Sequence, residues 1–320
     1  MDVKQLQEMQ CWSLERKVFH SISVIESFMA KVAEMNGGGY KYAEKYYVSF
    51  SGGADSLVLL DIARRFVDKE FPAVFCMTGQ EWPEIVNFVR QTPNVEVIRP
   101  RYKVKEIVAN YGFPLISKEV SEYVYEARTC KPGTKIRDKR LGKFGDSFAI
   151  PKKWRWLVDA DFQICHKCCY FLKKEPFHRY EKETGRKPLI GLVAEESELR
   201  KAEYLRRGGC NSFSGRVASY PMSVWTSKDV WEYIHRNKIS YCEIYDKLVR
   251  KQTGCCFCGF SITLDDSKLK ALYNIHPKLY KWMLDLTNNG VTYRQAMRKV
   301  LGRCGKSLPD EYKDLFDCYE

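Results

Sequence analysis

The 320-residue sequence has no long apolar run and few histidines. No stretch approaches the ~18 consecutive apolar residues that a bilayer span needs, and the N-terminus lacks the basic and then apolar pattern of a secretory signal. We therefore expect a cytoplasmic protein without a membrane partner. The five histidines show no metal-ligand spacing among themselves, so metal ligands must be sought among other side chains.

Positive charge and cysteine are abundant instead. The 53 Lys and Arg residues exceed the 40 Asp and Glu residues, and the formal charge of +13 favours a polyanionic or nucleotide partner. The 13 cysteines are odd in number and crowded in two places, at 165–169 and 255–258. Such crowding suits thiolate metal ligands in a reducing compartment better than a disulfide framework.

Short apolar runs alternate with helical patterns from residue 46 onwards. Strands are predicted at 46–50, 73–77, 95–98 and 188–193, with helices at about 56–67, from 83 and near 103–111. This alternation predicts an α/β fold with a parallel sheet covered on both faces. The expected organisation is a helical extension over 1–39, formed by one amphipathic helix at 2–35, an α/β domain over 40–225, and a helical C-terminal region over 226–320 with Trp282, Leu284 and Leu286 in its core.

The segment 128–155, here called the basic segment, is rich in glycine, lysine and arginine. It holds ten Lys and Arg residues against Asp138 and Asp146, and so carries most of the net charge of the chain. A charge run of this kind is often a solvated, mobile loop. The alternative is a lid or arm that covers phosphates, because lysine and arginine bind the backbone of nucleic acids without reading its sequence.

A glycine-rich loop joins the first predicted strand to a helix. Ser51-Gly52-Gly53-Ala54-Asp55-Ser56 lies directly between YYVSF and LVLLDIARRF. Glycines let the backbone approach an anion closely, and the helix N-terminus offers unpaired N–H groups and a positive dipole end. Ser51 and Ser56 can add hydroxyl donors, and Asp55 can hold magnesium or cap the helix. The alternative is an ordinary capped turn, but the coincidence of strand, loop and helix favours phosphate binding.

The loop SGGADS resembles the SGGxDS loop of the PP-loop adenine-nucleotide alpha-hydrolase superfamily, and the phosphoadenosine phosphosulfate reductase-like family is the most similar group within it. Members of that family have a doubly wound parallel sheet of the Rossmann-like, PP-loop type, which agrees with the alternation of strands and helices. Further similar segments cover most of the chain: 77–84 after the second strand, 112–114 with 117–119, Glu195-Glu196-Ser197 with Arg200, and Trp225-Thr226 with Val230-Trp231.

The resemblance implies roles for individual residues. The expected catalytic residues are Asp55, Lys118 and Arg200, and the expected ligands are ATP and Mg²⁺. Ala54 stands where many members have lysine, so Lys118, Arg200 or the basic segment would have to supply the missing cation. The expected nucleotide-binding residues are Ser51, Gly52, Gly53, Ala54, Asp55, Ser56, Thr78, Gly79, Glu196 and Ser197.

The adjacent Cys168 and Cys169, with the distant Cys255-x-x-Cys258, resemble the four-cysteine arrangement that holds a four-iron four-sulfur (4Fe-4S) cluster in adenylylsulfate reductases. The resemblance therefore implies that these four residues are cluster ligands. Cys165-x-x-Cys168 paired with Cys255-x-x-Cys258 would equally be a legal zinc site. A third interpretation is that the cysteines are buried as small apolar residues.

Two features favour the splitting of ATP over sulfonucleotide reduction. Reductases of this family have a degraded phosphate loop, whereas the fuller loop kept here implies a pyrophosphate to hold. They also carry a C-terminal Glu-Cys-Gly-Leu-His motif, and neither Cys304 nor Cys318 lies in such a motif.

The leading hypothesis is therefore an ATP pyrophosphatase that adenylates an acceptor for sulfur incorporation, similar to the ATPase component of DNA phosphorothioation systems and to tRNA thiolases. The acceptor would be tRNA or DNA, bound by the basic segment, and a sulfur or thiol donor would be required. The alternative is an adenylylsulfate or phosphoadenylylsulfate reductase that uses Cys304 or Cys318 as its nucleophile. A third possibility is a nucleotide-binding module without catalysis.

Overall fold

The computed structural model describes residues 2–39, 42–248 and 253–311. The chain divides into two compact units. Unit 1 comprises residues 1–77, 83–99 and 176–244, and unit 2 comprises residues 78–82, 100–175 and 245–320. The chain passes from one unit to the other five times, so this division differs from the boundaries that the sequence pattern suggested at 39 and 225.

A mostly parallel sheet of six strands forms the centre of unit 1 and confirms the predicted α/β fold. Its strand order is β3-β2-β1-β5-β7-β6, and only the β6–β7 pair is antiparallel. The strands of the described residues are β1 Tyr46–Ser49, β2 Ala73–Cys76, β3 Val95–Ile98, β4 Leu115–Ile116, β5 Lys187–Ile190, β6 Asn211–Ser212, β7 Ala218–Ser219, β8 Gly259–Phe260, β9 Thr287–Asn288 and β10 Val291–Thr292.

Helices make up most of the remaining regular structure. None of those in the described part of the chain combines the length and apolarity of a membrane span. The α-helices are α1 Val3–Gln10, α2 Leu14–Met35, α3 Ala54–Phe66, α4 Pro83–Gln91, α5 Val104–Tyr111, α6 Lys118–Thr129, α7 Lys135–Arg140, α8 Glu175–Thr184, α9 Glu198–Arg207, α10 Ser227–Arg236, α11 Ile244–Lys247, α12 Ser267–Ile275, α13 Pro277–Leu284 and α14 Tyr293–Gly302. Short 3₁₀ helices occupy Ala43–Lys45, Lys152–Val158 and Ala194–Glu196, and a π-helix occupies Tyr170–Lys174.

The N-terminal region contains two helices where the apolar spacing predicted one. The break falls at Ser13, which adopts an extended backbone and accepts a hydrogen bond from the Arg16 N–H through its hydroxyl. An N-cap of this kind starts a new helix whatever the apolar pattern is. Helices α2 and α10 both pack against α3, and the buried Lys17 Nζ lies 2.5 Å from Asp229 Oδ2.

Unit 2 has a small core built around the paired strands β4 and β8. Tyr293 is fully buried there, stacks on Phe113 and donates a hydrogen bond to a main-chain carbonyl. The side chain of Asn288 ties the β9–β10 hairpin to α5, because its amide donates to the Val108 and Ala109 carbonyls. The predicted core position of Trp282 is wrong: its neighbour Leu284 is buried, but Trp282 is 43% exposed.

Candidate nucleotide site and cysteine cluster

The glycine-rich loop lies at the topological switch point of the sheet in unit 1. Strand β1 has β2 on one side and β5 on the other, and β2 and β3 follow it outwards in one direction only. In open α/β sheets, ligands bind beside the carboxyl ends of the strands where the strand order reverses. The loop 51–53 leaves the carboxyl end of β1 and leads directly into α3, so the fold positions it where a nucleotide would bind.

Gly52 is required by the local geometry of this loop. Its φ of +70° lies in the left-handed region, and an added Cβ would come within 2.9 Å of Ile85 Cγ2 and 3.0 Å of Val89 Cγ2. A side chain would therefore strain the backbone and collide with α4. Gly52, which we expected to let an anion approach the backbone, thus also lets the loop pack closely against α4.

Two serine hydroxyls hold the loop in shape. Ser56 Oγ donates to the Gly53 carbonyl at 2.9 Å and accepts from the Ser51 N–H at 3.1 Å. The Gly53 N–H donates to Ser51 Oγ at 3.2 Å. Gly53 is the N-cap of α3, and no side chain caps this helix within the described loop. The first-turn amides of α3 therefore lie at a helix end of the kind that binds phosphate.

Gly191, which directly follows β5, packs closely against the loop and was not identified from the sequence. An added Cβ on Gly191 would lie 3.0 Å from the Asp55 carbonyl oxygen and 3.0 Å from Ser56 Cα. Both contacts are with main chain, which cannot rotate away. The only sequence signal was the glycine directly after the apolar run Pro188-Leu189-Ile190.

Four of the predicted site residues meet in unit 1. Burial raises the pKa of Asp55 to about 6, and the charge of Arg200 acts in the opposite direction. Glu196 forms an ion pair with Arg200. The Ser197 hydroxyl is the N-cap of α9 and accepts from the Arg200 N–H at 3.2 Å. The group places one cation and two carboxylates at the glycine-rich loop.

The predicted residues Thr78 and Gly79 lie in unit 2, in a loop that binds its own carboxylate. Their N–H groups donate to Glu81 Oε2 at 3.1 and 3.0 Å, and the Thr78 hydroxyl also donates to Glu81. The same loop accepts a hydrogen bond from the Cys256 N–H at the Gln80 carbonyl, at 2.9 Å. The loop is therefore hydrogen-bonded to the cysteine segment at 255–258.

Consecutive carbonyls of one short segment bring the two groups of cysteines together in unit 2. The Cys165 N–H donates to the Phe113 carbonyl at 2.8 Å, and the Gly259 N–H donates to the Pro114 carbonyl at 2.9 Å. Gly259 directly follows Cys258, and a Cβ at Gly259 would lie 2.7 Å from that same Pro114 oxygen. The segments 165–169 and 255–258 therefore lie close together in the fold. The sequence shows the spacing of their cysteines but not the carbonyls of Phe113 and Pro114 that connect them.

The thiols of these two groups act on one another electrostatically. Burial raises the pKa of Cys165 to about 11. Burial also raises the pKa of Cys168, and the charges of Cys165, Cys169, Cys255 and Cys258 add to that rise. We call these five residues the cysteine cluster. It contains all four predicted ligands together with the residue of the zinc alternative, so it includes both proposed ligand sets.

Thiolates are the donors that both an iron–sulfur cluster and zinc require, so the chemistry of the cysteine cluster fits either group. Within the described ranges, however, no three or more His, Cys, Asp or Glu side chains are arranged so that they could hold a metal ion. Both metal assignments therefore stay predictions.

The surroundings of the cysteine cluster carry positive charge. Lys173 is exposed, and the charge of Cys255 raises its pKa. Lys118, a predicted catalytic residue, is also exposed and acts electrostatically on Cys169. The π-helix that holds Lys173 starts directly after Cys169, and such wide turns occur frequently at functional sites.

The basic segment is partly helical, with α7 and the 3₁₀ helix Lys152–Val158 inside or overlapping it. Several of its cations have partners within unit 2. Arg128 donates to the carbonyls of Leu157, Ala160 and Phe162, and Arg140 donates to Glu126 at 2.5 Å. These two arginines therefore stabilise the fold of unit 2 through internal hydrogen bonds. Cys304 is half-buried in unit 2, and Cys318 lies outside the described residues.

The phosphoadenosine phosphosulfate reductase domain model matches residues 45–141 and 142–259 of the chain. An uncharacterised protein of Methanocaldococcus jannaschii is 26% identical over 94% of this chain, which spans 59% of that relative's length. An adenosine 5'-phosphosulfate reductase of Shouchella clausii is 25% identical, covering 68% of this chain and 72% of the relative. A sulfate adenylyltransferase subunit 2 of Mycolicibacterium vanbaalenii is 24% identical, covering 65% of this chain and 60% of the relative.

Proposed function

Because the chain belongs to the phosphoadenosine phosphosulfate reductase domain family, we propose that it is an ATP pyrophosphatase that adenylates an acceptor for sulfur incorporation. The observation that carries the proposal is the loop 51–56 at the switch point. Its helix N-terminus, its two glycines and the nearby Arg200 suit a pyrophosphate better than a single sulfate or phosphate group. Asp55 would hold Mg²⁺, which proteins bind through one or two carboxylates together with substrate phosphates.

The first step would transfer adenylate to an oxygen of the acceptor. The acceptor oxygen attacks the α-phosphorus of ATP, the bond from that phosphorus to the bridging oxygen breaks, and pyrophosphate leaves with the bonding electrons. The oriented amides of the loop and the Arg200 cation would stabilise the charge that develops on pyrophosphate. A sulfur nucleophile then attacks the acceptor atom that bears the adenylated oxygen, the bond between that atom and the oxygen breaks, and AMP leaves with the oxygen.

The acceptor would be a nucleic acid such as tRNA or DNA. The charge of the basic segment supports this, since phosphate contacts by Lys and Arg supply most non-specific affinity for nucleic acid. A four-iron four-sulfur cluster held by Cys168, Cys169, Cys255 and Cys258 would supply a site for sulfur. The chemistry of the cysteine donors suits that role, and zinc is the alternative occupant.

Pyrophosphate release from ATP by anaerobically purified protein tests the proposal. Release should rise when tRNA or DNA is added. Gly191→Ala should lower it about tenfold to a hundredfold, because the new Cβ displaces the main chain of the loop and small misplacements of reacting groups cost rates of this order. Gly302→Ala is the matched control, since its Cβ would meet nothing within 4 Å among the described residues. No release under any condition, with tight binding of adenylylsulfate, would refute the proposal.

A sulfonucleotide reductase is the second candidate, supported by the similarity to an adenosine 5'-phosphosulfate reductase. In that reaction Cys304 or Cys318 would attack the sulfur of adenylylsulfate and displace AMP. The thiol donor would then attack the cysteine sulfur, so that its bond to the sulfonate breaks, sulfite leaves and a disulfide forms. A variant with Cys304→Ser and Cys318→Ser should then lose all reductase activity. Full retention of activity by this variant would exclude both cysteines as nucleophiles.

A further inference from the structure

A connected group of aromatic rings lies in unit 2, and two of its members, Tyr170 and Phe171, directly follow Cys168 and Cys169 in the chain. Phe171 is its centre: Tyr111 stacks on it at 4.9 Å, and Tyr102 and Tyr170 meet it edge to face at 5.5 and 5.4 Å. Tyr125 adjoins through Lys167, whose Nζ lies 4.5 Å from the Tyr125 ring centroid and 6.0 Å from that of Tyr111. We call these six residues the tyrosine platform: Tyr102, Tyr111, Tyr125, Lys167, Tyr170 and Phe171.

The outer rings of the platform are accessible. Tyr102 is 47% exposed, Tyr170 is 48% exposed and Tyr125 is 38% exposed. Side chains of this size are usually covered in a folded chain, and a cluster of exposed aromatic rings marks a binding surface more often than a scattered single residue does. The ring faces and edges that remain open are available to a flat ligand.

The charge around the platform is positive. The two segments 101–111 and 166–175 contain six Lys and Arg residues against two glutamates. Three nearby carboxylates have partners: Glu126 binds Arg140, Glu119 accepts from the Tyr123 hydroxyl, and Glu175 lies 3.4 Å from Arg101. Glu122, also on α6, is exposed and acts electrostatically on His166, so it reduces the positive charge near Tyr125 without cancelling it. An anionic ligand with flat groups therefore matches this surface in both charge and shape.

The platform is continuous with the basic segment through one helix. Tyr125 lies on α6, and α6 packs against both α7 and the 3₁₀ helix Lys152–Val158. On the basic segment, Lys139 Nζ lies 4.3 Å from the ring centroid of Phe148, which is 59% exposed. Cations and exposed rings therefore occur together along this part of unit 2.

We infer that the tyrosine platform binds an unpaired stretch of nucleic acid, with bases stacked on its rings and phosphates held by the surrounding lysines and arginines. This rests on the proposed function and specifies its acceptor as single-stranded at the point of reaction. Aromatic stacking and a cationic track are the usual means by which proteins bind single strands, since a duplex keeps its bases stacked on one another. Lys167 and Tyr170 directly flank Cys168 and Cys169, so a stacked base would lie beside the proposed sulfur site.

Fluorescence anisotropy with the full chain tests this inference without ATP. The probes are labelled oligo(U) and oligo(dT) of about 12 nucleotides, a length typical of single-strand sites, and a duplex of the same length. The wild type should bind the single strands at least about tenfold more tightly than the duplex. Tyr102→Ala and Tyr170→Ala should each raise Kd for the single strands about 5- to 150-fold, the usual range for loss of one stacked base.

Two kinds of control separate stacking from charge and from misfolding. Tyr102→Phe and Tyr170→Phe keep the ring and should bind as the wild type does. Tyr42→Ala removes a tyrosine that is 67% exposed in unit 1 and should leave binding unchanged. Equal binding of single strand and duplex, absence of binding, or wild-type affinity in both alanine variants would each overturn the inference.

The outcome is distinguishable from that of the proposed function. Pyrophosphate release together with equal binding of single strands and duplex would support the adenylating activity and refute the proposed binding role of the platform. Single-strand binding that depends on Tyr102 and Tyr170, with no pyrophosphate release under any condition and tight binding of adenylylsulfate, would support nucleic-acid binding by the platform and refute the proposed activity.

Discussion

The buried carboxyl group of Asp55 should make the stability of the folded protein depend on pH. It lies in the first turn of α3, and burial raises its pKa from 3.8 to about 6. The folded state therefore binds the proton more tightly than the unfolded chain does. The resulting stabilisation is present below about pH 4 and is lost as the pH rises through about 6, because the ionised carboxylate must then be kept in a poorly solvated place.

The size of the effect follows from the gap between the two pKa values. The gap is about two units, and each unit corresponds to about 1.4 kcal/mol, so ionised Asp55 destabilises the fold by about 3 kcal/mol above pH 7. Asp55→Asn removes the charge and keeps the shape of the side chain. We expect this variant to be about 3 kcal/mol more stable than the wild type at pH 8, with the difference vanishing near pH 4.

Urea unfolding of both proteins across this pH range measures the difference, with Asp285→Asn as a control that removes one exposed carboxylate. The Asp55→Asn variant should also bind MgATP more weakly at pH 8, since it lacks the carboxylate proposed to hold Mg²⁺. A gain in stability that does not vary with pH, or a loss at pH 8, would refute the assignment of burial as the dominant cause.

Three further perturbations have definite outcomes. Lys17→Met leaves Asp229 without its cation in a buried pair, and urea unfolding should show a loss of about 3–5 kcal/mol; a loss under about 1 kcal/mol would contradict this. Gly259→Ala forces a Cβ against main chain in the β4–β8 pair and should cost about 1–3 kcal/mol in the same assay, whereas an unchanged midpoint would count against the close packing described. Anaerobic protein should contain iron and acid-labile sulfide that Cys168→Ser loses and Cys130→Ser keeps; zinc in place of iron would favour the alternative metal site.

Local features of the chain were predictable from the sequence. The strand at 95–98 and the order of strand, loop and helix around Ser51-Gly52-Gly53 depend on neighbouring residues alone, and the parallel sheet follows from their alternation. The break at Ser13 was also a local signal, but the apolar spacing on both sides of it concealed the cap.

Features that depend on tertiary contacts were not predictable. The support of the loop by Gly191 appears only when β5 lies beside α3, and the arginines of the basic segment that bind internal carbonyls and carboxylates cannot be told from free cations in a sequence. The exposure of Trp282 and the gathering of tyrosines around Phe171 likewise require the packing of segments distant in the chain.

The carboxylate of Glu81 has a consequence for any ligand of the loop 78–80. Since it is attached to the same loop, it competes for the Thr78 and Gly79 amides at a high effective concentration that no dilution can reduce. A free anion must therefore displace a tethered rival before it can use these donors. Small monovalent anions should therefore bind these amides very weakly. Only a ligand that makes further contacts elsewhere in its site would gain enough binding free energy to displace the Glu81 carboxylate.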